Sequence, residues 1–191
     1  MRKRSSQLLA ALDVPTSDED LLRAVGRAIE HVRGRPVRLR AVAFPPKVAS
    51  GVWIDRTTHD MIAYEEQTDL DHQLVIIGHE VWHMLEGHCG SLAAHGVASR
   101  SQQERAGLAA VAAALSEADS AERPSMEHTD AGLHIALRAD DPFVVHQEEA
   151  AEFFGYKFAT GVRDELTAAR GLADPEHLAG RIQLSMGMHR F

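Results

Sequence analysis

Leu70, Leu74, Ile77, Val81 and Leu85 recur at intervals of four, three, four and four. That period draws one apolar stripe along a helix. Thr68-Asp69-Leu70-Asp71 has the form of a capping box with Thr68 as N-cap, and Gly87 and Gly90 are stop signals. The pattern predicts a helix over 69–87. Upstream, residues 1–14 predict a short helix. Ser17-Asp18-Glu19-Asp20 opens a second, with Leu21, Leu22, Val25, Ile29 and Val32 inward and Gly34 and Pro36 ending it. Residues 37–44 alternate as a strand until Pro45-Pro46 breaks it. Val52-Trp53-Ile54 and Met61-Ile62-Ala63-Tyr64 predict two more strands, joined by polar residues.

The pattern downstream is less regular. Residues 91–128 are rich in Ala, Ser and Glu, with a helix expected from Ser101 through Leu108, Val111 and Leu115, then a polar loop around Pro124. Leu133-His134-Ile135-Ala136-Leu137 reads as a strand. Asp141-Pro142 and Asp174-Pro175 each open a helix by the rule that favours Pro at the first helical position, the first running to about Thr160. The order predicts an α+β fold. A small twisted sheet of three or more short strands packs on the 69–87 helix, with further helices C-terminal. One domain over 1–191 is expected, its core about 20–160, with 91–140 a variable insertion.

Composition narrows the partners. The chain has 191 residues, enough for a core without staples. Its net charge of −8, without a strong basic stripe, argues against direct nucleic-acid binding. The arginines from Arg33 to Arg40 read as the solvated side of a turn entering a strand. A lone cysteine, Cys89, rules out a disulfide framework and fits a cytoplasmic protein. Cys89 reads as a packed or free thiol, with a stray metal ligand as the alternative. The N-terminal apolar run, Leu8-Leu9-Ala10-Ala11-Leu12, is too short for a signal peptide, and no stretch reaches the ~18 apolar residues of a membrane span.

Candidate chemistry lies on the best-predicted helix. Residues 79–83 read His79-Glu80-Val81-Trp82-His83, the pattern H-E-x-x-H. Residues four apart share a helix face, so both imidazoles can reach one ion while Glu80 holds a water. A bland alternative is a surface helix with two unrelated histidines. A catalytic zinc site needs a third protein ligand. In His146-Gln147-Glu148-Glu149-Ala150-Ala151-Glu152-Phe153-Phe154, the inward stripe is Ala151, Phe154 and Phe158, and three residues before Ala151 is Glu148. A carboxylate on a buried face requires a partner or a metal. Glu148 is therefore the expected third ligand and His146 the rival. Glu152, one turn on, is placed to accept a ring N–H from a liganding histidine.

With both segments in view, the chain resembles the ImmA/IrrE-type metallopeptidases. The resemblance rests on His79-Glu80-x-x-His83-x-Leu85 and on a helix of the form E-x-x-A-x-x-F from Glu148 to Phe154. It implies a gluzincin-like (zincin-like) α+β fold and a cytoplasmic Zn²⁺-dependent peptidase. Members are often coupled to helix-turn-helix repressors, which some cleave, and others sit in toxin–antitoxin-like operons. Where members commonly carry Asn after the Ala, this chain has Glu152; where they often carry Ala after the Phe, it has Gly155.

The expected reaction is zinc-assisted amide hydrolysis, with His79, His83 and Glu148 as metal ligands and Glu80 as general base. Tyr156, His134 and His146 are candidate oxyanion donors, and 61–66 is the expected sheet edge for a peptide substrate. The alternative is a non-catalytic zinc-containing regulator, or a toxin–antitoxin-like component, that acts by binding a transcription factor.

Overall fold

The computed structural model describes residues 1–15, 17–44, 49–87, 113, 132–134 and 142–173. The expected helix from Ser101, the polar loop near Pro124, Cys89, and the helix from Asp174-Pro175 lie outside these residues. The chain is α+β. Helix α1 (Arg2–Ala10) is followed by α2 (Leu21–Arg33), β1 (Val37–Val42), β2 (Gly51–Asp55), β3 (Asp60–Glu65), α3 (Leu70–Glu86), β4 (Gly132–His134) and α4 (Pro142–Ala173).

The sheet has four strands in the order β1-β3-β2-β4. β1 runs parallel to β3, whereas β2 is antiparallel to both β3 and β4. This arrangement corrects one expectation. Residues 61–66 do not form a sheet edge, because β3 is paired on both sides along its length. The cause is the tight β2–β3 connection, closed by Arg56 N–H donating to the His59 carbonyl, which folds β3 back between β1 and β2. Val52, Trp53, Ile54, Met61, Ile62 and Ala63 are all buried, as befits central strands covered on both faces.

Helix α3 packs on β2, β3 and α4. Leu74, Ile77 and Val81 are buried as the stripe requires, with Leu70 and Leu85 partly buried at its ends. The N-cap is Asp69 rather than Thr68: Asp69 Oδ1 accepts from His72 N–H at 2.8 Å, the usual side-chain satisfaction of an orphan donor. Gly87, at φ 71°, closes the helix, its N–H donating to the His83 carbonyl.

Helix α4 starts at Pro142 as expected but continues past Thr160 to Ala173. Gly161 is not a stop. A Cβ there would lie 2.6 Å from Leu9 Cδ1, so the glycine makes room for α1. The inward row continues through Phe158, Val162 and Leu166, all buried.

The arginine cluster also departs from expectation. Asp60 is fully buried. Its Oδ1 accepts from Trp53 Nε1 at 2.9 Å and its Oδ2 from Arg33 Nε at 2.8 Å, with Arg35 Nε at 3.5 Å. Arg33 also donates to the Met84 carbonyl in the last turn of α3, at 3.2 Å. Arg33 and Arg35 thus bind a buried carboxylate rather than lying on a solvated face.

Candidate metal centre

The two histidines of the motif differ in exposure. The His83 side chain is fully buried, and that of His79 is 22% exposed. Their Nε2 atoms stand 3.0 Å apart. Glu148, on α4, closes the group: its Oε2 lies 3.3 Å from His79 Nε2 and its Oε1 3.5 Å from His83 Nε2. One ligand atom from each of the three residues falls within 4.8 Å of the others. Four-coordinate zinc holds nitrogen and oxygen ligands at about 2.0–2.2 Å, which sets them roughly 3.3 Å apart. Separations of 3.0, 3.3 and 3.5 Å fit that spacing. Two imidazoles and a carboxylate suit Zn²⁺ and other first-row divalent ions.

The distance between α3 and α4 is set by glycines. A Cβ on Gly155 would come within 2.5 Å of the Val75 carbonyl oxygen, and one on Gly78 within 2.9 Å of Gly155 Cα. The two backbones therefore cross one residue before His79. That close approach brings Glu148, two turns N-terminal to Gly155 on α4, to the imidazole pair. Sequence reasoning missed this device; two glycines inside helical patterns were the available signal.

Electrostatics separates the two carboxylates. Burial raises the Glu80 pKa, helped by the Glu148 charge and opposed by His79 and the Trp53 N–H, and the result is about 7. Burial also acts upward on Glu148. Hydrogen bonds from His79 and His83 and their charges outweigh it, holding that carboxyl well below its usual range. Burial pulls His79 down, but its hydrogen bond with Glu148 and the charges of Glu80, Glu148 and Glu152 leave it raised. The surroundings thus favour the ionised form of Glu148 and, without a metal, the protonated form of Glu80.

Glu80 belongs to the wall of an open cleft of about 370 Å³ that also reaches His79 and Glu148. Its Oε2 is buried and has no hydrogen-bond partner among the described residues. Gly51 of β2 makes space for it, since a Cβ there would lie 2.9 Å from Glu80 Oε1. That glycine was legible only as an oddity at a strand start.

The other sequence candidates separate clearly. His146 is exposed beside Glu149 and is not part of the cluster. Tyr156 lines the cleft. His134 enters through the backbone pairing of β4 with Trp53. Glu152 lines the cleft but makes no hydrogen bond to either ring among the described residues. It acts on His79 through charge instead. His72, also in the cleft wall, was not anticipated. Set against protein families, curated proteins and solved structures, the chain matches none. Among the described residues, no helix is long and apolar enough to cross a membrane.

Proposed function

We propose that this chain is a metal-dependent peptidase of zincin-like architecture, similar in kind to the ImmA/IrrE-type enzymes. The observation that carries the reading is the convergence of His79, His83 and Glu148, of which His79 and Glu148 line an open cleft together with Glu80, whose Oε2 is buried without a hydrogen-bond partner among the described residues. A closed structural site would surround its ion with four protein ligands; among the described residues this group presents three, two of which line open space.

His79, His83 and Glu148 would hold the ion, with Zn²⁺ the natural choice for this donor set. When bound, such an ion supplies Lewis acidity, polarising a carbonyl and acidifying water near neutral pH. Glu80 accepts the proton of the attacking water at its carboxylate and returns it to the departing amine. Tyr156 lines the same cleft two turns of α4 beyond Glu148, about 12 Å along the helix, on the path of a bound substrate. The substrate proposed is a cytoplasmic regulatory protein such as a helix-turn-helix repressor. A net charge of −8 favours encounter with a basic, DNA-binding partner.

Glu80→Gln tests the reading. Zinc content is expected to stay at the wild-type level while cleavage of the repressor falls by about 10²–10⁴-fold, the usual worth of a general base. Undiminished turnover would remove Glu80 from the mechanism.

A further inference from the structure

Resting on the peptidase reading, we infer that the cleft selects a cationic side chain next to the scissile bond, and that Glu152 is the residue that recognises it. Glu148, Glu152 and Tyr156 recur every four residues on α4 and all three line the cleft. They form a row leading outward from the ligand group. Across from it, α3 contributes His79, Val75 and His72 in the reverse direction. The helices are antiparallel there, since Gly155 meets Val75 while Arg163 reaches Asp71. The cleft is therefore a track with the imidazoles at one end.

The charges along that track are unequal in their commitments. Glu148 is engaged by both imidazoles, and Glu80 is buried. Glu152 is exposed and makes no ion pair or hydrogen bond among the described residues. It lines the same cleft as His79, one turn of α4 beyond Glu148. His72, the other ionisable group of the track, stands seven residues from His79, about 10 Å along the helix. Glu152 stands four residues from Glu148, about 6 Å along α4. An extended peptide advances about 3.3 Å per residue. A chain spanning the ligand group therefore brings a side chain to Glu152 within two residues of the bond that is cut. A Lys or Arg there would find a free carboxylate, and an Asp or Glu would meet repulsion. Glu80, which lines the same cleft, keeps a buried Oε2 without a hydrogen-bond partner among the described residues, and the cleft beside it stays open at about 370 Å³.

The test uses zinc-loaded full chain and peptides that differ at one position flanking the scissile bond, carrying Lys, norleucine or Glu. Binding is measured by calorimetry on the Glu80→Gln protein, and cleavage on the wild type. The Lys peptide is expected to bind roughly three- to tenfold more tightly than the norleucine peptide, and the Glu peptide more weakly than either. The advantage should shrink with added salt. Glu152→Gln should bring Lys and norleucine peptides to equal affinity, and Glu152→Lys should invert the order, each with zinc content checked. Cleavage without charge preference would overturn this inference and leave the peptidase reading intact. Charge-ordered binding with no cleavage would do the reverse. Absence of both binding and cleavage would overturn the two together.

Discussion

At the scale of single residues, two carboxylates whose charges both act on His79 behave oppositely. Glu148 meets both ring nitrogens and stays ionised; Glu80 is buried with one oxygen bare and is raised to about 7. The metal-free protein carries the consequence. Glu80 binds its proton more tightly in the folded chain than at its ordinary value of 4.5. Its favourable contribution is complete below about pH 4.5 and is lost as pH rises through about 7. With chelator present, Glu80→Gln should be the more stable protein at pH 8 by roughly 3 kcal/mol, and the gap should close by pH 4.5. Urea midpoints at the two pH values measure it, and a gap independent of pH would refute the assignment. Glu148→Ala should abolish stoichiometric zinc by elemental analysis. Full occupancy in that variant would move the third ligand elsewhere, with Glu152 first in line. The sequence disclosed these roles unevenly. Helical spacing alone paired His79 with His83 and put Glu148 on the inward row. Nothing in the local pattern could give Glu152 its exposed position in the cleft, because that depends on which way α4 leans against α3.

At the scale of elements, the site belongs to a helix crossing. α3 was legible in outline because five apolar positions, an acidic start and a terminal glycine all agree on it. Its cap moved from Thr68 to Asp69, a choice between adjacent side chains that the pattern does not make. The end of α4 was not legible: the sequence pattern runs to about Thr160, whereas the helix continues through Gly161, which packs against Leu9 of α1. Gly155 is the same kind of residue in a more consequential place. In a helix interior Ala is favoured over Gly by about 1 kcal/mol. Here the added Cβ would meet the Val75 carbonyl oxygen at 2.5 Å, and a backbone oxygen cannot rotate aside. Overpacking of this kind costs about 1–3 kcal/mol, so the clash wins. Gly155→Ala should lower the thermal midpoint and weaken zinc binding by about tenfold as Glu148 is carried away from the imidazoles. Competition against a chelator of known affinity measures the second effect, and unchanged affinity would show that the crossing does not set the ligand spacing.

At the scale of the whole molecule, the sheet and the helices are joined through one buried carboxylate. Asp60 opens β3, accepts from Trp53 on β2, and holds Arg33 at the end of α2, which in turn grips the last turn of α3. Composition gave no hint of it, since Asp60 sits in a polar stretch that looks like any turn. Burial became visible only once β3 was threaded between β1 and β2. Asp60→Ala should cost about 2–4 kcal/mol, because it leaves a half-buried guanidinium and an indole N–H without their acceptor. Asp60→Asn should cost less, since an amide oxygen still serves Trp53. Denaturant unfolding of the two variants separates these outcomes, and equal losses would argue that the charge alone matters.

The placement of Glu148 so far along the chain has a further consequence, in time rather than space. During synthesis the two imidazoles leave the ribosome on α3 well before the carboxylate does. At about 5–20 residues per second, some seconds pass before α4 can dock. Through that interval the nascent chain holds two of the three ligands and an unfinished cleft. Among the described residues the three-membered group is complete only once α4 has docked on α3, so metal uptake by this group follows the synthesis of both helices.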